Sequence, residues 1–64
     1  MPHVGDRLKD LRYRAGLTQE ELAEKASTTQ TTVARIERDA VEPHISTIRN
    51  LAEALGVSPG DLLD

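Results

Sequence analysis

The stretch Gln30-Thr31-Thr32-Val33-Ala34-Arg35-Ile36-Glu37-Arg38 sets an amide, hydroxyls and two guanidinium groups within nine residues. At about 100° per residue, Val33, Ile36 and Glu37 fall on one side of a helix. Thr31, Arg35 and Arg38 fall on the other, with Ala34 beside them and Gln30 at the exposed first turn. None of this outer group is acidic, in a chain where acids outnumber bases 11 to 8. Base edges of duplex DNA ask for such groups: Gln pairs bidentately with adenine, Arg with guanine, and methyl-bearing side chains meet the thymine methyl. A solvated polar face is the plainer account of the same residues. The absence of Glu and Asp from the face favours recognition.

Other constellations are poorer. His3 and His44 lie 41 residues apart and the chain has no cysteine, so neither a metal site nor a cofactor is expected. His44 stands near the start of a helix, where it suits a capping or phosphate-side position. Glu20, Glu21 and Glu24 cluster where acids complement a helix N-terminus. No nucleophile–base pair or phosphate loop is present, and 64 residues leave little room for a closed pocket, so no enzyme is expected. Tyr13 is the one aromatic residue, which disfavours binders that stack several bases. Apolar runs reach only two residues, as at Leu62-Leu63, so no membrane span or secretory signal is expected.

The elements that must hold these side chains are all helical, and 1–64 reads as a single domain. Leu, Ile and Val supply fifteen apolar residues, enough for an aliphatic core. Val4, Leu8, Leu11 and Ala15 mark one face of a first helix, ended by a left-handed cap at Gly16. Thr18 and Glu21 form a capping box, stapled by Leu17 and Leu22, for a brief second helix over about Gln19 to Ala26. Leu22, Ala23 and Ala26 face inward on it. After Ser27-Thr28-Thr29, Thr29 caps a third helix running to about Arg38. Residues 39–44 read as a loop. Ile45, Ile48, Leu51, Ala52 and Leu55 line a fourth helix stopped by Gly56. Val57-Ser58-Pro59-Gly60-Asp61-Leu62 then repeats the boxed and stapled start for a fifth. Helices two and three, over about 19–38, are joined by about three residues, the spacing of a helix-turn-helix whose second helix is presented to the major groove.

These residues resemble a known family. Leu17-Thr18-Gln19-Glu20-Glu21-Leu22-Ala23-Glu24-Lys25-Ala26 and Gln30 to Arg38 are similar to the two halves of the phage-repressor and Cro-type helix-turn-helix, the XRE family. Leu51-Ala52-Glu53-Ala54-Leu55-Gly56-Val57-Ser58 and Asp61-Leu62-Leu63 resemble its closing helices. The resemblance covers about residues 4–63. It implies a compact five-helix lambda-repressor-like domain in which Gln30, Thr31 and Arg35 contact bases. Gln19 would contact a phosphate, where a helix N-terminus favours an anion, and Thr29, Thr32 and Arg38 would be further backbone contacts. Arg12 and Glu37 match a pair tying helix one to helix three. The family's usual glycines in the turn and after the recognition helix are replaced here by Ser27 and Asp39, at a small expected cost in stability.

The resemblance also implies a cytoplasmic, nucleoid-associated transcriptional regulator of bacterial or phage type, a repressor acting as a homodimer on double-stranded DNA with a palindromic operator. Val57, Leu62 and Leu63 are candidates for the subunit contact, though a core role on helix five is expected to dominate. Free-standing regulators, antitoxins, restriction–modification controllers and domains of longer chains all share the pattern. The net charge of -3 and acids at 39, 42, 53, 61 and 64 motivate a contrasting reading, a protein-interaction or antitoxin-type partner-binding module on the same fold. The charge is unevenly spread, however: +2 over residues 1–14, -2 over 15–29, +1 over 30–38 and -4 over 39–64. A low total therefore predicts weak non-specific affinity and leaves DNA binding open.

Overall fold

The structure, a computed structural model, describes residues 4–63; His3 and Asp64 lie outside the described residues. Among the described residues there are five helices and no strand: α1 (Val4–Arg14), α2 (Gln19–Lys25), α3 (Gln30–Glu37), α4 (Ile45–Leu55) and α5 (Pro59–Leu63). None of the helices is long and apolar enough to cross a membrane. α1 and α2 flank α3, α4 lies against α2 and α5, and α5 returns to α1. Leu8, Leu22, Val33, Ile36, Leu51 and Leu62 are essentially sealed from solvent. Every helix thus places at least one aliphatic side chain in a common core, and no aromatic residue is needed there.

The start of α2 follows its capping chemistry. Thr18 Oγ1 accepts from the Glu21 amide at 3.1 Å, and the Thr18 amide donates to Glu21 Oε1 at 2.9 Å, so two orphan amides of the first turn are satisfied together. These bonds hold the Glu21 carboxyl below its ordinary pKa. Before α3, Thr29 Oγ1 accepts from the Thr32 amide at 3.2 Å. The α5 start departs from the expected symmetric box. Asp61 Oδ2 accepts from both the Ser58 amide (3.1 Å) and the Ser58 hydroxyl (3.2 Å), while the Asp61 amide bonds the Ser58 backbone carbonyl. The Ser58 hydroxyl therefore donates to Asp61 instead of accepting from the Asp61 amide.

Two residues expected to face inward do not. Ala15 is exposed, because α1 ends at Arg14 and the chain turns at once through Gly16 with φ 72°. Ile45 is 54% exposed, because it opens α4 where that helix emerges from the loop. Gly5 takes the place on α1 that periodicity did not assign. A Cβ there would fall on the Ile36 carbonyl oxygen and come 3.0 Å from that of Glu37. The start of α1 therefore rests directly against the end of α3, backbone to backbone.

Candidate nucleic-acid interface

α3 is held from behind by a charged network. Arg12 Nε and Nη2 donate to Glu37 Oε2 and Oε1 at 2.6 and 3.0 Å, a bidentate pair. Its side chains are only 7% and 2% exposed. The third nitrogen, Nη1, donates to the Leu17 carbonyl at 2.9 Å, and the Tyr13 ring covers the guanidinium with its centroid 4.6 Å away. Gln19 Nε2 completes the set with a 3.1 Å bond to Glu37 Oε1. Burial pushes the Glu37 carboxyl up, but the bonds from Arg12 and Gln19, with the charges of Arg12 and Lys9, more than cancel it. The group lies below its ordinary pKa. Hydrogen bonding to Glu37 raises Arg12 further, against the effect of burial. Among the described residues no buried side-chain polar atom lacks a partner. The expected tie between α1 and α3 is thus present and reaches α2 as well.

The network fixes which side of α3 faces out. With Val33, Ile36 and Glu37 buried, Gln30, Thr31, Arg35 and Arg38 are exposed, and Ala34 and Thr32 are half-buried. The outward face therefore bears amide, hydroxyl, methyl and guanidinium groups and no carboxylate. Thr29 and Thr32 Oγ1 atoms lie 3.0 Å apart. One of their two hydroxyl protons is used between them, and the other stays available to an external acceptor. Gln19 is half-buried, with its amide nitrogen bonded to the ion pair.

The turn geometry explains the two substituted glycine positions. Ser27 has φ 57° and Asp39 φ 56°, so both hold the left-handed conformation that glycine adopts most readily. The Thr28 amide reaches the Ala23 carbonyl at 2.9 Å across the first turn, and the Ala40 amide reaches that of Arg35 at 2.9 Å across the second. Ala23 and Ala26 are buried, and their small side chains let α3 approach α2 closely.

Three expectations are adjusted. Leu62 is fully buried by its own chain and has no surface to give a partner subunit. Val57 is half-buried against the core, and Leu63 is 43% exposed. His44 occupies the cap position of α4 but makes no side-chain cap bond. Sequence reasoning missed the Gly5 contact, the Leu17 carbonyl as a partner of Arg12, and the Gln19–Glu37 bond. A glycine three residues before Leu8, on the core face of α1, was the available signal for the first. The other two join residues whose proximity only the assembled fold creates.

Comparison with known proteins agrees with this geometry. A family model described as a helix-turn-helix domain matches residues 3–64. The chain is 46% identical over 54 residues to the immunity repressor protein of Bacillus phage phi105, covering 84% of this chain. It spans 38% of that repressor's length. The crystal structure of the biofilm master regulator SinR of Bacillus subtilis in complex with DNA superposes with a TM-score of 0.91 at 35% identity, over 95% of this chain and 98% of that one. The restriction-modification controller protein C.AhdI from Aeromonas hydrophila superposes with a TM-score of 0.92 at 34% identity, over 95% of this chain and 92% of that one. With a lambda-repressor-like five-helix fold and a turn spanning residues 26–29, the chain belongs to the helix-turn-helix domain family of XRE type.

Proposed function

We propose that this chain is a sequence-specific binder of double-stranded DNA that regulates transcription, as a repressor acting as a homodimer on a palindromic operator. One observation carries the reading: α3 is clamped from behind by a buried ion pair while its free face presents Gln30, Thr31, Arg35 and Arg38 without an acidic side chain. In this reading α3 enters the major groove, where Gln30, Thr31 and Arg35 meet base edges. Gln19, Thr29, Thr32 and Arg38 lie on phosphates and set the register. Residues 1–64 serve as one DNA-binding unit. The likeness to a phage immunity repressor and to a regulator crystallised on DNA supports it.

One copy makes few base contacts, so specificity calls for two copies on half-sites about one helical turn, ~34 Å, apart. A body of 27 × 22 × 20 Å fits one copy per turn with its neighbour within reach. Of the candidates for that contact, Leu63 and the half-buried Val57 keep surface to give, whereas Leu62 does not.

Titration of the protein with duplex at several salt concentrations tests the reading. Affinity is expected to fall steeply with salt, with a logarithmic slope near -0.9 for each phosphate neutralised. Failure to retain any sequence from a random duplex pool at low salt would contradict it.

A further inference from the structure

We infer that Glu37 acts as a positioning residue for DNA-backbone binding: its buried carboxylate orients the Gln19 amide so that a nitrogen-borne proton, rather than the carbonyl oxygen, is aimed to serve a phosphate. The inference rests on the proposed DNA-binding reading and adds the device that sets the polarity of one contact.

An ionised carboxylate only accepts hydrogen bonds, and an amide has a donating end and an accepting end. Glu37 Oε1 lies 3.1 Å from Gln19 Nε2. Glu37 is held ionised by Arg12, so the nitrogen end of Gln19 is obliged to face it. One Nε2 proton is committed to Glu37, and the second proton and the carbonyl oxygen are left over. A phosphate is itself an acceptor, so only the second proton can serve it. A free glutamine would present either end and would lose rotamer freedom on binding. Here the cost is met in the folded protein, because Glu37 is fixed by two bonds to Arg12 and Arg12 by a third to Leu17.

The charged groups around this carboxylate agree with the assignment. Arg12 from α1 neutralises it directly, and Lys9 from the same helix adds a weaker attraction. α2 contributes Gln19, which is neutral. Because no charge is added at the surface, the contact strengthens binding without adding to counterion release. This separates it from Arg35 and Arg38 on the outer side of α3.

A double-mutant cycle on DNA affinity tests the inference. It uses the native chain, Gln19→Ala, Glu37→Gln and the double variant, each checked for folding by circular dichroism. Gln19→Ala should weaken binding about tenfold per bound protomer, equally on preferred and unrelated duplexes and with an unchanged salt slope. Glu37→Gln should weaken it similarly in the native background and have no further effect once Gln19 is alanine. Equal losses in both backgrounds would show that Glu37 acts through the fold alone and overturn the inference. If Glu37→Gln does not fold, Glu37→Asp, which keeps the charge but withdraws it by one methylene, takes its place in the cycle. Nuclear magnetic resonance of the Gln19 side-chain amide in the native protein supplies a readout that needs no Glu37 variant. One proton should resist solvent exchange before DNA is added and the other should shift on binding. Two protons exchanging freely, or both unmoved by DNA, overturn the inference. Absence of any duplex binding by the native chain would instead remove the DNA-binding reading itself.

Discussion

Replacing Arg12 with methionine keeps much of the side chain's volume but strips the cation from a carboxylate that is 2% exposed. Breaking a buried pair on one side costs about 3–5 kcal/mol, because the remaining charge is left in a poor solvent. A domain of 64 residues is stable by about 3–10 kcal/mol in total, so Arg12→Met should leave the chain near its folding midpoint at neutral pH. Arg12→Met with Glu37→Met removes both charges. Its remaining defects are the Leu17 carbonyl, which loses its donor, and the half-buried Gln19 amide, which loses its acceptor. The double variant should therefore cost about 1–2 kcal/mol, well below the single variant. The pH dependence should also change sign. In the native chain Glu37 lies below its ordinary pKa, so its stabilisation is present above the unfolded value of about 4.3 and is lost as pH falls through the folded one. In Arg12→Met, burial without the cation should raise Glu37 above its unfolded value. Its penalty is then felt at neutral pH and relieved as pH falls through that raised value. Urea unfolding followed by far-ultraviolet circular dichroism at pH 7, pH 5 and about pH 3 measures all of this. A single variant that loses under about 1 kcal/mol, a double variant as damaged as the single one, or an identical pH trend in both proteins would refute the reasoning.

Other perturbations have equally defined outcomes. Gly5→Ala should destabilise by about 1–3 kcal/mol in a thermal melt, since its Cβ meets backbone oxygens of α3 and forces the helices apart. Ser27→Gly should raise stability by about 0.5–1 kcal/mol by relieving a side chain held at φ 57°. Arg35→Ala should lose about 1–3 kcal/mol on the preferred duplex and relax preference at one base pair, read by competition against single-base variants. Arg38→Ala should weaken all sequences alike and reduce the salt slope by about one.

The helices were legible because their ends are chemically marked. Thr18 with Glu21, Thr29, Gly16 and Gly56 each act within a few residues of themselves, so local sequence suffices to place them. The Arg12–Glu37 tie was legible through the family resemblance, and its spacing agrees, since each residue sits four positions from a core aliphatic, Leu8 and Val33. Failures gathered where an element meets another at its margin. Periodicity assigned Ala15 and Ile45 to the core, but each lies where its helix has ended or is just emerging. Gly5 carries no side chain for a hydrophobic pattern to register, and its role is visible only against the carbonyls of α3. At the candidate interface, residue types on α3 indicated which face would be free. The bond from the Gln19 amide to the ion pair required the fold, because Gln19 and Glu37 are 18 residues apart.

Selection of bound duplexes from a random pool, run in parallel with the native chain and Arg35→Ala, tests the central claim most directly. The account predicts a short half-site repeated in inverted orientation, with centres about one helical turn apart, and relaxed preference at one base pair of each half for the variant. No enrichment by the native chain, or the same enriched sequences from both proteins, would contradict it.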